Sequence, residues 1–534
     1  MRLNILFGGK AGHGIDKVSS LTGKILSKLG YHTFSYRDYG SLIRGGHNFN
    51  VLSISDERIA SHDKALDGIL ALDEATEEKH SEDLKEDGFL LKEDDFEDAK
   101  SYGKGYNMVF AGGLIKKLGF DFELLEDEIQ EEFDKEKIIE SNIEAARSGF
   151  ESVEEKFSLE RVGEELDTMT GSEAVAEGAI RSGMDVYLAY PMTPATPVLH
   201  ILAGRQEENN YMTLQPESEL SVINAGLGCA HTGAKTMIGS SGGGYDLMQE
   251  SMAMQGVSEI PLVVYLSQRA GTGTGVPTYT AQGDLEVATK GSHSEFPRVT
   301  IAPGDPLEAI KATNEAFYFA ENYRLLSVIL SDKHLAESEF SFYGDVDLVE
   351  VGRNIDTEKK DGLYKQYEIT EDGVSPRSVP GINIVKSTSY DHNEHGITVE
   401  DEEIVKGTTD NRLRKWETVE KEAKKFDQYK VHGEGDVVVV GWGSTKGAII
   451  DAVKELDNVK FLQIIYLEPF PEETEEILRE ADKVLLAENN STGLLGNLIT
   501  EKTGFRIKDE NKILKYAGRP FMSDELKEKI EARL

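Results

Sequence analysis

"MDVYLAYPMTPATP", residues Met184 to Pro197, runs from an apolar stretch into a loop with three prolines among the eight residues that start at Tyr190. "DVYLAY" reads as a short buried strand. The loop reads as neither helix nor sheet, because each proline lacks a backbone N–H and holds the residue before it extended. A stiff loop at the end of a buried strand sits where an open parallel sheet binds its ligands, so the stretch points to an α/β fold. It also offers two hydroxyls, Thr193 and Thr196, at fixed positions.

The surrounding residues extend the pattern. "GSEAVAEGAIRSG" from Gly171 is a helix leading into the strand. After the loop, "AKTMIGSS", "PLVVYLSQ", "RVTIAPG" and "LLSVILSD" are strands separated by helical segments such as "ELSVINAGLGCAHTG". Such alternation predicts a doubly wound parallel sheet over residues 171–340. Upstream, "LNILF" is a strand, glycines follow, and Ile15, Val18, Leu21, Ile25 and Leu29 then recur along one helical face. With "HTFSYRD", "NFNVLSISDE", "DGILALD", "GFLLK" and "NMVFAGG" as further strands, residues 1–158 form another α/β unit. Residues 341–430 lack long apolar runs and read as an irregular connection with one helix in "NRLRKWETVEKEAKKF". Residues 431–534 return to α/β, with strands in "GDVVVVGWGS", "VKFLQIIYLEPFP" and "KVLLAENN".

Composition narrows function. The chain has 534 residues and a net charge of −39, which excludes a nucleic-acid binder that would need clustered lysine and arginine. The acidic runs read as solvated faces suited to high internal salt, or as a docking surface for a basic partner. With one cysteine, Cys229, the chain alone offers no disulfide framework, cysteine zinc site or four-cysteine cluster. There is no spanning apolar stretch or signal peptide, so the expectation is a cytoplasmic protein that engages no membrane.

Three strand ends carry chemistry. The proline loop gives Thr193; "QPESELSVINAG" starts a helix with Glu217 and Glu219; "LVVYLSQRAGTGTG" ends a strand with Arg269. A hydroxyl, a carboxylate and a guanidinium at one edge of one sheet mean more together than singly. At the N-terminus, "GGKAGHGID" places Gly9, Gly12 and Gly14 between strand and helix, an ordinary turn or a phosphate cradle, and "YGSLIRGGHN" sets Arg44 beside two glycines.

These motifs resemble the 2-oxoacid:ferredoxin oxidoreductases. "AYPMTPATP", "ESELSVINAGLGCA", "SSGGGYDLM", "QRAGTGTGVPT" and "GSHSEFPRVTIAPGD" are similar to that family's thiamine diphosphate pyrimidine-binding domain. "GGKAGHGI" and "SLIRGGHNF" resemble its gamma domain, and "TEDGVSPRSVPG", "DHNEHG", "YLEPFP" and "ENNSTG" the rest of its alpha subunit, including a C-terminal transketolase-like domain. Met192 stands where the family has Ile, and "GTGTGVPT" where "GPSTGLPT" is commoner.

The resemblance implies a fused gamma and alpha subunit that oxidatively decarboxylates a 2-oxoacid, 2-oxoglutarate ahead of pyruvate or branched-chain acids, to acyl-CoA and carbon dioxide. It implies Glu219 at the ring nitrogen N1′ of thiamine diphosphate, Thr193 and Arg269 on the substrate, and Gly9, Gly12, Gly14 and Arg44 toward coenzyme A. It implies that a beta subunit supplies Mg²⁺, the diphosphate site and a 4Fe-4S cluster, that ferredoxin takes the electrons, and that this chain holds no metal. The rivals are a nucleotide-dependent dehydrogenase built on the glycine loop and a noncatalytic acidic scaffold.

Overall fold

The computed structural model describes residues 1–40, 46–97 and 99–534. Among them the strands build three sheets, and the middle sheet sets the architecture. Its order is Tyr466–Glu468, Arg298–Ile301, Leu326–Asp332, Leu262–Gln268, Thr236–Ser240, Val186–Ala189, Met212–Leu214. All neighbours are parallel except Tyr466–Glu468, an antiparallel edge strand lent by the C-terminal region.

Period-two alternation explains why this sheet is covered on both faces. Leu188, Leu262, Val264, Leu266, Val328 and Leu330 point to one side. Tyr187, Ala189, Val263, Tyr265 and Ile329 point to the other, against helices Gly171–Arg181, Thr196–Asn209 and Pro306–Tyr323. The first face shares its core with Trp442, Leu462 and Leu486 of the C-terminal region, so middle and last units are packed as one hydrophobic body.

The N-terminal sheet runs Leu84–Lys92, Leu66–Ala71, Arg2–Lys10, His47–Ser55, His32–Asp38, Glu339–Phe342, Asp167–Thr170. Its last two strands come from around the middle unit, pairing antiparallel as Phe340 with Phe34 and Phe340 with Met169. The C-terminal sheet, Tyr429–His432, Val459–Ile464, Val437–Trp442, Lys483–Glu488, Lys512–Leu514, is parallel apart from its first strand.

Two expectations are corrected. "NMVFAGG" is no strand: it lies in the helix Tyr106–Leu118. That helix is buried nearly all round, and at Gly112 a Cβ would lie 1.8 Å from the Ala146 carbonyl oxygen of the helix Glu136–Glu151. Two helices this close require an apolar, glycine-bearing run, which periodicity cannot tell from a buried strand. The proline loop is also shorter than it reads, because a helix begins at Thr196 and takes Pro197 into its first turn, where a missing N–H costs nothing.

Residues 343–400 are mostly irregular and are held down by buried cations. Arg324 donates to the carbonyls of Gln366 (2.6 Å), Pro376 (3.1 Å) and Ser375 (3.2 Å). Arg377 bridges Glu321 (3.0 Å) and the Ala230 carbonyl (2.6 Å). The helix Glu402–Ala423 is pinned to the middle unit by a buried Lys415–Glu259 pair.

Candidate active site

The middle sheet changes winding direction at Val186–Ala189, whose neighbours are Met212–Leu214 on one side and Thr236–Ser240 on the other. A crevice opens outside the carboxyl ends of strands at such a point. After these strands come Thr193 in its loop, Glu219 at the start of a helix and the run Gly242–Gly244 opening the helix Gly242–Leu247, and Arg269 directly follows the next strand, Leu262–Gln268.

Glu219 is the first residue of the helix Glu219–His231, which is capped by Ser218 through the Ser221 amide. It is only 5 % exposed, yet among the described residues no hydrogen bond or ion pair engages its carboxylate. A largely buried carboxylate with no protein partner is free to take one from a ligand. Gly244 lies directly against it: a Cβ there would meet the Ser240 hydroxyl at 2.1 Å and the Glu219 Cγ at 2.7 Å. The hydroxyls of Ser240, Ser241 and Tyr245, by contrast, are fully buried without a partner. Glu217 differs: it is exposed and accepts a hydrogen bond from the Ser221 hydroxyl.

Arg269 and Thr193 meet. The guanidinium Nη1 donates to the Thr193 carbonyl at 2.9 Å, which leaves its other N–H groups for a ligand. Burial lowers the Arg269 pKa, without approaching neutrality at physiological pH.

Sequence reading missed Asp284. It stands at the start of the helix Leu285–Lys290 but does not cap it; instead, a Cβ on Gly242 would lie 2.6 Å from its Oδ2. Burial, and then the Asp246 carboxylate, push Asp284 up to about 6 against the pull of Arg269. Its backbone N–H donates to Gln268 (2.9 Å), and Gln282, two residues earlier, exchanges hydrogen bonds with Asn489 (2.8 and 2.9 Å). The only signal in the sequence is an Asp just ahead of a short amphipathic stretch.

The N-terminal glycine loop forms a second, separate feature. A cleft of about 1020 Å³ is lined by Gly12, His13, Tyr106 and Asn107, by the cations Lys10, Lys100 and Lys104, and by the acids Asp73, Glu74, Glu78 and Glu93. Gly12, at φ 95°, has open space where a side chain would go. Gly14, at φ 74°, instead packs on Asn107, whose amide donates to its carbonyl at 3.1 Å, and Gly9 packs on His13 and Leu72. Arg44 lies outside the described residues. Among the described residues there is no group of three or more His, Cys, Asp or Glu able to hold a metal, and no helix long and apolar enough to cross a membrane.

Two family models match the chain: "Pyruvate flavodoxin/ferredoxin oxidoreductase, thiamine diP-bdg" over residues 177–432, and "Pyruvate ferredoxin/flavodoxin oxidoreductase" over residues 4–104. The 2-oxoacid:ferredoxin oxidoreductase subunit alpha of Sulfolobus sp is 29 % identical, with 99 % of this chain and 96 % of that protein covered. The 2-oxoglutarate oxidoreductase subunit KorA of Mycobacterium tuberculosis is 28 % identical over 82 % of this chain and 69 % of its own length. In solved structures, the 2-oxoglutarate:ferredoxin oxidoreductase of Magnetococcus marinus, with 2-oxoglutarate, coenzyme A and succinyl-CoA bound, superposes with a TM-score of 0.90 at 25 % identity, covering 99 % of both chains.

Proposed function

This chain belongs to the 2-oxoacid:ferredoxin oxidoreductases, as an alpha subunit, and from that premise we propose how its residues divide the work and that 2-oxoglutarate is the preferred substrate. The observation that carries the assignment is the buried, unpartnered Glu219 on the same carboxyl edge of the middle sheet as the Arg269–Thr193 contact. Full-length likeness to a 2-oxoglutarate enzyme supports the substrate.

The residues fit thiamine diphosphate, since Glu219 is a buried acid without a protein partner and, within the glycine run, Gly243 faces open space where a side chain would go. When bound, that cofactor supplies a nucleophilic carbon that adds to the keto group and takes up electrons as carbon dioxide leaves. Glu219 holds and returns a proton at the pyrimidine nitrogen N1′. Arg269 pairs with the substrate carboxylate as a planar fork on a planar anion. The Thr193 hydroxyl donates to the substrate oxygen and is kept in reach by the bond from Arg269 to its carbonyl. Water exclusion falls to the covering N-terminal unit, whose cleft at Gly12 and Lys104 receives the phosphates of coenzyme A.

A beta subunit brings the diphosphate site, Mg²⁺ and the 4Fe-4S cluster, because this chain has one cysteine. Ferredoxin docks on that partner, away from a surface whose net charge is −39, and the complex works in the cytoplasm. A dehydrogenase reading of the glycine loop has no support in the full-length similarities.

The test is turnover of the reconstituted two-chain enzyme with a panel of 2-oxoacids and coenzyme A, read as reduced ferredoxin. 2-Oxoglutarate should give the highest kcat/KM, and the isolated chain should show no iron absorbance and no activity. Activity of the lone chain, or preference for pyruvate, overturns the corresponding part.

A further inference from the structure

We propose that Arg519, from the C-terminal unit, is a positioning residue for Arg269 and acts through the ring of Tyr279. The inference rests on Arg269 being the group that binds the 2-oxoacid carboxylate.

After Arg269 the chain makes a tight excursion, "AGTGTGVPTYT", and returns beside its own start. The Ala270 N–H donates to the Tyr279 carbonyl and the Val276 N–H to the Ala270 carbonyl, both at 2.9 Å. At Gly271 a Cβ would lie 2.2 Å from the Gly275 Cα, so the base of the excursion is closed backbone on backbone. Arg269 is one residue from the first of these bonds, and its position follows that of Tyr279.

Two other units fix Tyr279. The Arg519 guanidinium carbon lies over the ring, 3.8 Å from its centroid. The same guanidinium forks onto Asp38, with Nη2 at 3.3 Å from Oδ1 and Nε paired to Oδ2. Asp38 ends the strand His32–Asp38, is buried, and accepts from the Tyr36 hydroxyl at 3.0 Å. Next to it, the Gly518 carbonyl accepts the Thr280 N–H at 3.1 Å. N-terminal, middle and C-terminal units thus converge on one ring. Only arginine can stack and fork at once, because its charge is planar and its donors diverge.

The experiment is steady-state kinetics of the complex with beta subunit, comparing R519A, R519K, Y279A, Y279F and R519A/Y279A. R519A and Y279A should each raise KM for the 2-oxoacid about tenfold, with kcat and KM for coenzyme A within about twofold of wild type. R519K should resemble R519A, Y279F should resemble wild type because the ring is kept, and the double variant should be no worse than either single one. An unchanged oxoacid KM in R519A, a uniform fall in kcat with every KM unmoved, or a Y279F as impaired as Y279A would overturn the proposal. If R519A does not fold, the Y279A and Y279F pair decides. R269K separates the premises: an oxoacid KM unmoved there refutes the role of Arg269 itself, whereas a raised one beside an unmoved R519A refutes only the clamp.

Discussion

Two glycine-rich strand ends, "GGKAGHG" at the N-terminus and "SSGGGYD" in the middle sheet, look alike as text and differ as structures. At Gly12 the backbone turns left-handed over an open cleft, and a methyl group there would touch nothing. At Gly244 a methyl group would strike Ser240 and Glu219. The first glycine is required by backbone conformation and borders an open cleft; the second is required by volume and presses on a carboxylate. Glycine runs therefore mark sites for opposite reasons, and substitution separates them.

The largest effect is expected at the acid itself. E219Q should lower ferredoxin reduction about 10³-fold for every 2-oxoacid while leaving association with the beta subunit intact, as size-exclusion chromatography would show. Next comes G244A, which displaces Glu219 without removing it and should cost about 100-fold in kcat with little change in either KM. G12A meets no atoms, so its penalty is the strain of φ 95° alone, about 1 kcal/mol in thermal stability, and kcat should stay near wild type. If G12A and G244A damage turnover equally, the contrast between the two loops is wrong.

Smaller effects sharpen the same contrast. K104A should raise KM for coenzyme A about threefold to fivefold, more at low salt than at high, and leave the oxoacid KM alone. Asp284 should move the oxoacid KM instead. With its pKa at about 6 rather than the ordinary 3.8, it is neutral below that pH and anionic above it, where its charge offsets Arg269. The KM for an anionic substrate should therefore rise as pH increases through 6, and D284N should remove that rise. A D284N profile identical to wild type would take Asp284 out of the site.

What the sequence made legible follows from how local each feature is. Strands such as "PLVVYLSQ" announce themselves because burial on both faces leaves a continuous apolar run, and their ends locate Thr193, Glu219 and Arg269. The helix Tyr106–Leu118 was misread for the same reason, its all-round burial erasing the period that separates helix from strand. The strand read in "VKFLQIIYLEPFP" divides into Val459–Ile464 and the lent Tyr466–Glu468, and pairing across more than a hundred residues leaves no local trace of that split. Asp284 and Arg519 were invisible as site residues because each sits in a loop whose position is set by other units.

The sheet shared by Glu339–Phe342 and Asp167–Thr170 with the first unit bears on how this polypeptide tolerates being cut. Residues 160–165 are exposed, though the Val162 and Gly163 amides bond the Leu29 carbonyl, and a chain severed there would leave each fragment a row of amides that only the other completes. Dilution alone should not part them; only denaturant should. Two genes encoding these halves apart would still specify a single particle.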